Sequence, residues 1–456
     1  MLMTLVAFVV ALGVLIAVHE YGHYRVAVAC GVKVLRFSVG FGKPLLRWQP
    51  KGSSTEFVLA AFPLGGYVRM LDEREAPVPA SERHLAFNTQ PLRSRAAIVA
   101  AGPLANLLLA SVLYAAVNWM GVQEPMAYLA SPPAGSVAEA AGLRGGELVR
   151  SAALGDEAPA PVRSFEDLRW TLTRGALDAL PVRLEVERTP GGTGRSVLLA
   201  LDQIDASKAD AQLMRKVGVV GPWTRPVLGE VMEGSAAERA GLRAGDEVRR
   251  IGSAEVVDGQ QLRELIRSSV QANGKAQTQP WRIVRAGEER TLDVTADVVS
   301  DEASGPVGRI GAYVGAAPQM TTVQYGPLDG LWAGVTRTWD VSVLTVRMMG
   351  RMVIGQASLK NLSGPLTIAD YAGRSASMGL TQYLVVLALI SVSLGVLNLM
   401  PLPVLDGGHL MYYLWEGVTG KAVSEAWMER LQRGGIALLV LMMSIAMFND
   451  ITRLLG

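Results

Sequence analysis

The sequence predicts a multi-span α-helical membrane protein with four transmembrane helices and two α+β domains inserted between the second and third spans. Two observations carry this. Four apolar stretches are long enough to cross a bilayer, which takes roughly 20 residues each, and the polar stretch between the second and third of them contains an internal repeat. Half of the 456 residues are hydrophobic and only 18% are charged, a balance that fits a membrane protein with a sizeable soluble insert.

The first span, 1–29, begins at the first residue without a basic leading region or a small-residue cleavage site, so it is expected to stay in the mature protein. Residues 30–95 follow as a cytoplasmic segment. Between Lys33 and Arg95 it holds ten Lys or Arg against five acidic residues, and the positive-inside rule puts such a loop on the inner side. These cations are interleaved with Gly, Pro and aromatics beside two spans, so no nucleic-acid surface is read from them. Within the segment, Thr55–Ala61 and Tyr67–Leu71 read as two strands joined near Gly65 and Gly66. The second span is 96–119, where Ala101-Gly102-Pro103 lets another backbone approach and Asn106 is placed to meet the site or a substrate.

In the outer region, 135–150 recurs at 234–249 with eleven of sixteen positions identical at an offset of 99 residues. That offset is the length of one small domain, which gives tandem domains at 120–220 and 221–315. Each copy reads as a short helix ended by Gly, a turn and a strand, then a longer helix at 165–173 or 258–269 and further strands. The A-G-L-x-x-G-D-x-V signature resembles PDZ domains, whose open strand edge accepts an extended peptide. Gly241, Leu242, Gly245 and Asp246 carry it in the second copy and are the candidate peptide-binding residues there, whereas the first has Glu147 in place of the Asp. Residues 316–379 form an amphipathic, interfacial segment, with Trp332, Trp339 and Val343 beside Arg337, Asp340 and Arg347. The third span is 380–405, then a cytoplasmic loop 406–430, the fourth span 431–449 and a tail 450–456. Four spans leave both termini outside. Cys30 is the single cysteine, so no internal disulfide helps the outer domains fold.

The chemistry lies within the spans. His19-Glu20-Tyr21-Gly22-His23 interrupts the first apolar run. Residues four apart share a helix face, so His19 and His23 can present two imidazoles to one Zn²⁺ while Glu20 addresses a water beside it. Each ionisable group at mid-bilayer costs about 2.5–3.5 kcal/mol, so an unpartnered cluster of three is disfavoured. At the end of the third span, Pro401 and Pro403 break the helix, and irregular backbone at membrane depth is tolerated where it lines a cavity or is buried in protein. Asp406 offers a third, oxygen ligand there, and His409 offers an imidazole as its rival. Asn398 is a candidate donor to a developing oxyanion.

H-E-x-x-H in the first span together with N-x-x-P-x-P-x-L-D-G-G over 398–408 resembles the site-2 protease family of intramembrane zinc metalloproteases. The tandem PDZ-like insert, Val39–Gly42, Pro63–Tyr67, Ala101–Asn106, Asn361–Pro365 and Phe448–Asp450 extend the resemblance over nearly the whole chain. It implies one zinc bound by His19, His23 and Asp406, with Glu20 as general base and Asn398 holding substrate or oxyanion. It implies a bacterial inner membrane and a membrane-dipping hairpin at Gly65, Gly66 and Tyr67. The substrate class it implies is a single-span membrane protein, an anti-sigma factor already trimmed on its outer side, or a remnant signal peptide. A non-catalytic PDZ-bearing scaffold is the alternative, and the intact Glu20 argues against it. A membrane zinc protease of another class would draw its third ligand from a Glu on a later helix, which L-D-G-G argues against.

Overall fold

The computed structural model describes residues 2–188, 192–204, 213–270, 274–301, 305–354 and 364–455. It divides into two units, residues 1–122 with 324–456, and residues 123–323. Four helices of the first unit are long and apolar enough to cross a membrane.

The first of these, α1 (Leu2–Ala29), is apolar on every side, and its few buried residues include Leu15 and Glu20. Helices that are apolar all round suit a lipid surrounding better than water. Gly31, in the left-handed region at φ 79°, ends it and turns the chain into β1 (Val34–Trp48). β2 (Glu56–Met70) doubles back on β1 in an irregular register. Residues 34–39 pair on one side with 66–70 and on the other with 56–59, and 44–48 then pair with 57–60. The sequence reading expected Thr55–Ala61 and Tyr67–Leu71 to be joined as neighbours. Here Arg36–Val39 lies between them, and Gly40 and Gly42, at φ 91° and 87°, bend β1 so that 44–48 returns along the other side of 57–60. The segment 66–70 is left as an edge. α2 (Leu92–Met120) follows and carries Pro103 in its interior.

The insert holds two α+β halves, entered and left by the paired strands β3 (Val122–Pro125) and β16 (Met320–Val323). The first half comprises α3 (Val137–Ala140), β4 (Leu148–Leu154), β5 (Ala160–Pro161), α4 (Phe165–Asp178), β6 (Val182–Glu187), β7 (Arg195–Leu199) and α5 (Leu213–Val217). The second comprises β8 (Leu228–Val231), α6 (Ala236–Arg239), β9 (Glu247–Ile251), β10 (Ala254–Glu255), α7 (Gly259–Arg267), β11 (Gln279–Arg285), β12 (Glu288–Val294), β13 (Asp297–Asp301), β14 (Gly305–Arg309) and β15 (Ala312–Val314). Their sheets run in matching order, β5-β4-β6-β7 and β10-β9-β11-β12. Each closes over its own core, around Leu168, Leu172 and Leu184 in one and Leu262, Trp281 and Ile283 in the other.

The repeat also matches atom by atom. Ser136 and Ser235 cap α3 and α6, each accepting the amide three residues on, while Glu139 and Glu238 reach back to the amides of Gly135 and Gly234. The departure at Glu147 is conservative in effect. Glu147 is buried, accepts the amides of Arg144 and Gly145 and meets Arg195, much as the buried Asp246 accepts the Arg243 amide and two bonds from Arg285.

The chain then returns to the first unit as α8 (Pro327–Val353), α9 (Pro365–Met378), α10 (Leu380–Leu399), α11 (Asp406–Thr419) and α12 (Glu425–Leu455). α8 lies lengthwise on α2. A Cβ on Gly330 would strike Trp119, one on Gly334 would strike the Ser111 carbonyl, and the hydroxyls of Ser111 and Thr338 are 3.1 Å apart. α10 runs beside α2 and reaches α1 through side chains, where Leu387 packs with Ala11 and Leu15 and the Tyr383 hydroxyl donates to the Ala7 carbonyl. Asp450, near the end of α12, accepts the amides of Gly364, Leu366 and Thr367 at the start of α9, at 2.9–3.1 Å. Gly364-Pro365 and Asp450 belong to two separate motifs in the sequence and form one helix cap. Asn361–Ser363 lie outside the described residues.

Candidate metal centre

His19 and His23 lie one turn apart on α1, and their Nε2 atoms are 3.2 Å from each other. The break after α10 brings Asp406 to them. Its Oδ2 lies 3.3 Å from His19 Nε2 and 3.6 Å from His23 Nε2. Ligands 2.0–2.1 Å from zinc at tetrahedral angles stand about 3.3 Å from one another, so the three donors fit zinc with a fourth position left for chemistry. Among the described residues this is the one cluster of three metal-ligating groups.

Local sequence explains why the donors converge. Met400 leaves the helix and Pro401 and Pro403 cannot rejoin it, so the chain folds back on itself before α11 starts at Asp406. Side chains at Gly407 and Gly408 would strike the carbonyls of Met400 and Leu402, at 2.2 and 2.3 Å. At the other wall, α1 and α2 touch backbone to backbone. A Cβ on Gly22 would stand 2.3 Å from the Ala101 carbonyl, and one on Gly102 would stand 2.3 Å from His23 Nε2. The Ala101-Gly102-Pro103 run therefore admits the His23 ring itself, beyond the close helix approach expected from its sequence.

His23 Nδ1 donates to the Ile98 carbonyl at 2.8 Å, which leaves Nε2 with its lone pair towards the other donors. Metal-bound histidines are commonly oriented by such a bond. No sequence signal marked Ile98, because a carbonyl belongs to every residue.

The centre opens on a cleft of about 390 Å³ lined by His19, Glu20, His23, Asp406 and the edge residues Gly66, Tyr67, Val68 and Met70. Glu20 is buried at its wall. Gly66 lies on Glu20, where a Cβ would stand 2.8 Å from Glu20 Cγ, and Gly65, at φ 138°, passes over the Phe41 ring that stacks on Tyr67. Asn106 is buried on α2 with its amide nitrogen 3.3 Å from His19 Nδ1, and it does not line the cleft. Asn398, in the last turn of α10, does not line it either. His409 stands outside the donor cluster, edge-on to Tyr412, in an adjacent cavity with Arg95 and Glu416. In the insert, Leu242 belongs to the second core, and both oxygens of Asp246 are taken up by Arg285 and the Arg243 amide.

Two imidazoles on one apolar span and a carboxylate just past the end of another, open to a cleft beside a buried glutamate, form a donor set of the kind hydrolytic metal centres use. Residues 7–442 match peptidase family M50, and the chain belongs to that family, the site-2 type of zinc metalloprotease. It is 44% identical to a Ralstonia nicotianae protein provisionally named as a zinc metalloprotease, over 99% of both chains. It is 40% identical to the protease RseP of Yersinia pestis, again over 99% of both. The regulator of sigma-E protease of Escherichia coli K12 is 38% identical over 99% of this chain and 98% of its own.

Proposed function

We propose that this metalloprotease hydrolyses peptide bonds within transmembrane segments of single-span proteins, with Glu20 as general base. One observation carries the reading: the His19–His23–Asp406 donors and the unpaired edge 66–70 line the same cleft. Helical amides are hydrogen-bonded and hidden from a nucleophile. A substrate must unwind to be cut, and an edge strand offers its backbone new partners as it does so. Leu45, Leu46, Trp48 and Phe62 on the same hairpin are exposed apolar residues suited to lipid.

His19, His23 and Asp406 would hold the zinc, which would supply Lewis acidity to make water nucleophilic near neutral pH and to polarise a carbonyl. The remaining steps belong to the chain. Glu20 takes the proton of the attacking water and passes it to the leaving amine. Gly66 keeps the edge low enough over Glu20 for a paired substrate to lie against both. Asn398, in the last turn of α10, is proposed to hold the substrate or the oxyanion.

The same reading puts the protein in a bacterial inner membrane, with termini and insert on the periplasmic side and the basic loop 30–95 inside. A trimmed anti-sigma factor is the proposed substrate. The two halves of the insert act as PDZ-like domains. In the second, a cavity of about 440 Å³ between α7 and 307–314 is the proposed peptide groove, with Gly241, Leu242, Gly245 and Asp246 shaping the turn that supports its sheet. In the first half, Leu213 and Val217 of α5 pack into the core beside α4.

The test is cleavage of a tagged single-span substrate by detergent-purified protein, wild type against Glu20→Gln, with bound metal measured in both. Loss of cleavage with about one zinc per chain retained supports the assignment. Equal cleavage by the variant removes Glu20 as base.

A further inference from the structure

We infer that Asn106 is a positioning residue that sets which nitrogen of His19 faces the metal, its amide serving as donor to one imidazole tautomer and as acceptor from the other. The inference rests on the His19–His23–Asp406 reading of the centre and concerns a side chain that binds neither metal nor substrate.

His19 turns Nε2 towards its co-ligands, 3.2 Å from His23 Nε2 and 3.3 Å from Asp406 Oδ2, and turns Nδ1 towards α2. Asn106 stands there, 1% exposed on an apolar span, with Nδ2 3.3 Å from His19 Nδ1. Its Oδ1 has no hydrogen-bond partner among the described residues. Leaving a buried polar atom unpaired is costly, so an orphan beside a functional histidine calls for a physical reason.

The reason lies in the proton inventory of a neutral imidazole, which donates at one nitrogen and accepts at the other. In the arrangement described, Nδ2–H donates to Nδ1, which places the ring proton on Nε2, where Asp406 accepts it. A metal requires that Nε2 be bare. His19 then carries its one proton on Nδ1, and that N–H needs an acceptor. Rotating the Asn106 amide by half a turn exchanges Nδ2 for Oδ1 at nearly the same position and supplies one. His19 holds a single proton in both states. The proton moves between nitrogens and the amide turns to match. His23 has no such freedom, because the Ile98 carbonyl can only accept.

The backbone beneath the amide is held. Ser391 on α10 donates to the Asn106 carbonyl at 2.7 Å, and a Cβ on Gly395 would stand 3.0 Å from the Pro103 carbonyl, so α10 presses on this turn of α2. An aspartate at 106 could accept from Nδ1–H but not donate to Nδ1. A leucine, of similar size, could do neither.

The experiment measures zinc affinity by chelator competition on the purified full chain, for wild type, Asn106→Leu and Asn106→Asp. Removing a partner that orients a metal-bound histidine typically weakens binding about 10- to 100-fold. That loss is expected for Leu, with most of it recovered by Asp. Leu binding zinc as tightly as wild type overturns the inference, and so does equal weakening in Leu and Asp. Should the Leu variant not fold, nitrogen-15 histidine spectra of the cadmium-113-loaded wild type decide the matter, since only four histidines contribute. Metal coupling at His19 Nε2 with a proton on Nδ1 is expected, and coupling at Nδ1 overturns the inference. Wild type that binds no metal through His19 at all would refute the centre rather than the role of Asn106.

Discussion

Gly102→Ala is expected to weaken zinc binding while leaving the membrane helices in place. The added Cβ would stand 2.3, 2.6 and 2.8 Å from Nε2, Cε1 and Cδ2 of His23. Ordinary separations are about 3.5–4.0 Å, so the ring must retreat by more than about 1 Å. That movement has two costs. It stretches the 2.8 Å bond from Nδ1 to the Ile98 carbonyl, and it pulls Nε2 away from donors now 3.2 and 3.6 Å distant. Overpacking of this kind typically costs about 1–3 kcal/mol, and the metal-bound state bears the larger share because there the ring is held at Nε2 as well as at Nδ1 by the Ile98 carbonyl. The expected result is zinc binding about 5- to 150-fold weaker, with cleavage falling in step and returning at high zinc. The assay is chelator competition followed by cleavage at graded zinc, with Gly13→Ala as control, since a Cβ there meets nothing within 4 Å. Wild-type affinity in Gly102→Ala would refute the claim that this glycine exists to admit His23.

Gly66→Ala should behave in the opposite way: its Cβ would meet Glu20 Cγ and the Ser38 carbonyl rather than a ligand, so zinc is retained while cleavage drops, as metal content and turnover on the same sample will report. Asp450→Leu removes the acceptor for three backbone amides at the start of α9, and faster hydrogen exchange confined to Gly364, Leu366 and Thr367 is expected. Asp246→Asn should destabilise the second half of the insert by roughly 1.5–3 kcal/mol, read from its local hydrogen-exchange protection. The pH dependence has a definite sign. Burial raises the Asp246 pKa, but the Arg285 and Arg243 bonds outweigh it and hold the carboxyl below its usual value of 3.8. The stabilisation is therefore present above the ordinary carboxylate range and lost as pH falls through the depressed value, and Asp246→Asn should lack that acid-dependent loss.

Much of the centre was legible in the chain because helix periodicity is local. His19, Glu20 and His23 follow from a spacing of four, and the two prolines before Asp406 announce broken backbone at membrane depth. The choice between Asp406 and His409 was not available from spacing, since both follow the same break within one helical turn. Asp406 reaches the α1 imidazoles at the helix start, while His409, three residues on, faces Tyr412 instead. The hairpin was half legible. Its second strand segments were recognised, but the bends at Gly40 and Gly42 that let one strand pair on both sides depend on backbone angles no alternation pattern records.

Sequence alone determined the four apolar runs, the tandem insert and the pairing of His19 with His23 on one helix face, because run length, internal identity and helical spacing can be read from the order of residues without any fold. Tertiary structure decided that Asp406 rather than His409 joins the two imidazoles, that the Ile98 carbonyl orients His23, that Asn106 faces His19, and that Asp450 caps a helix beginning at Pro365. Each of these joins segments far apart in the chain, and backbone carbonyls and close glycine contacts acquire meaning only when another helix is packed against them.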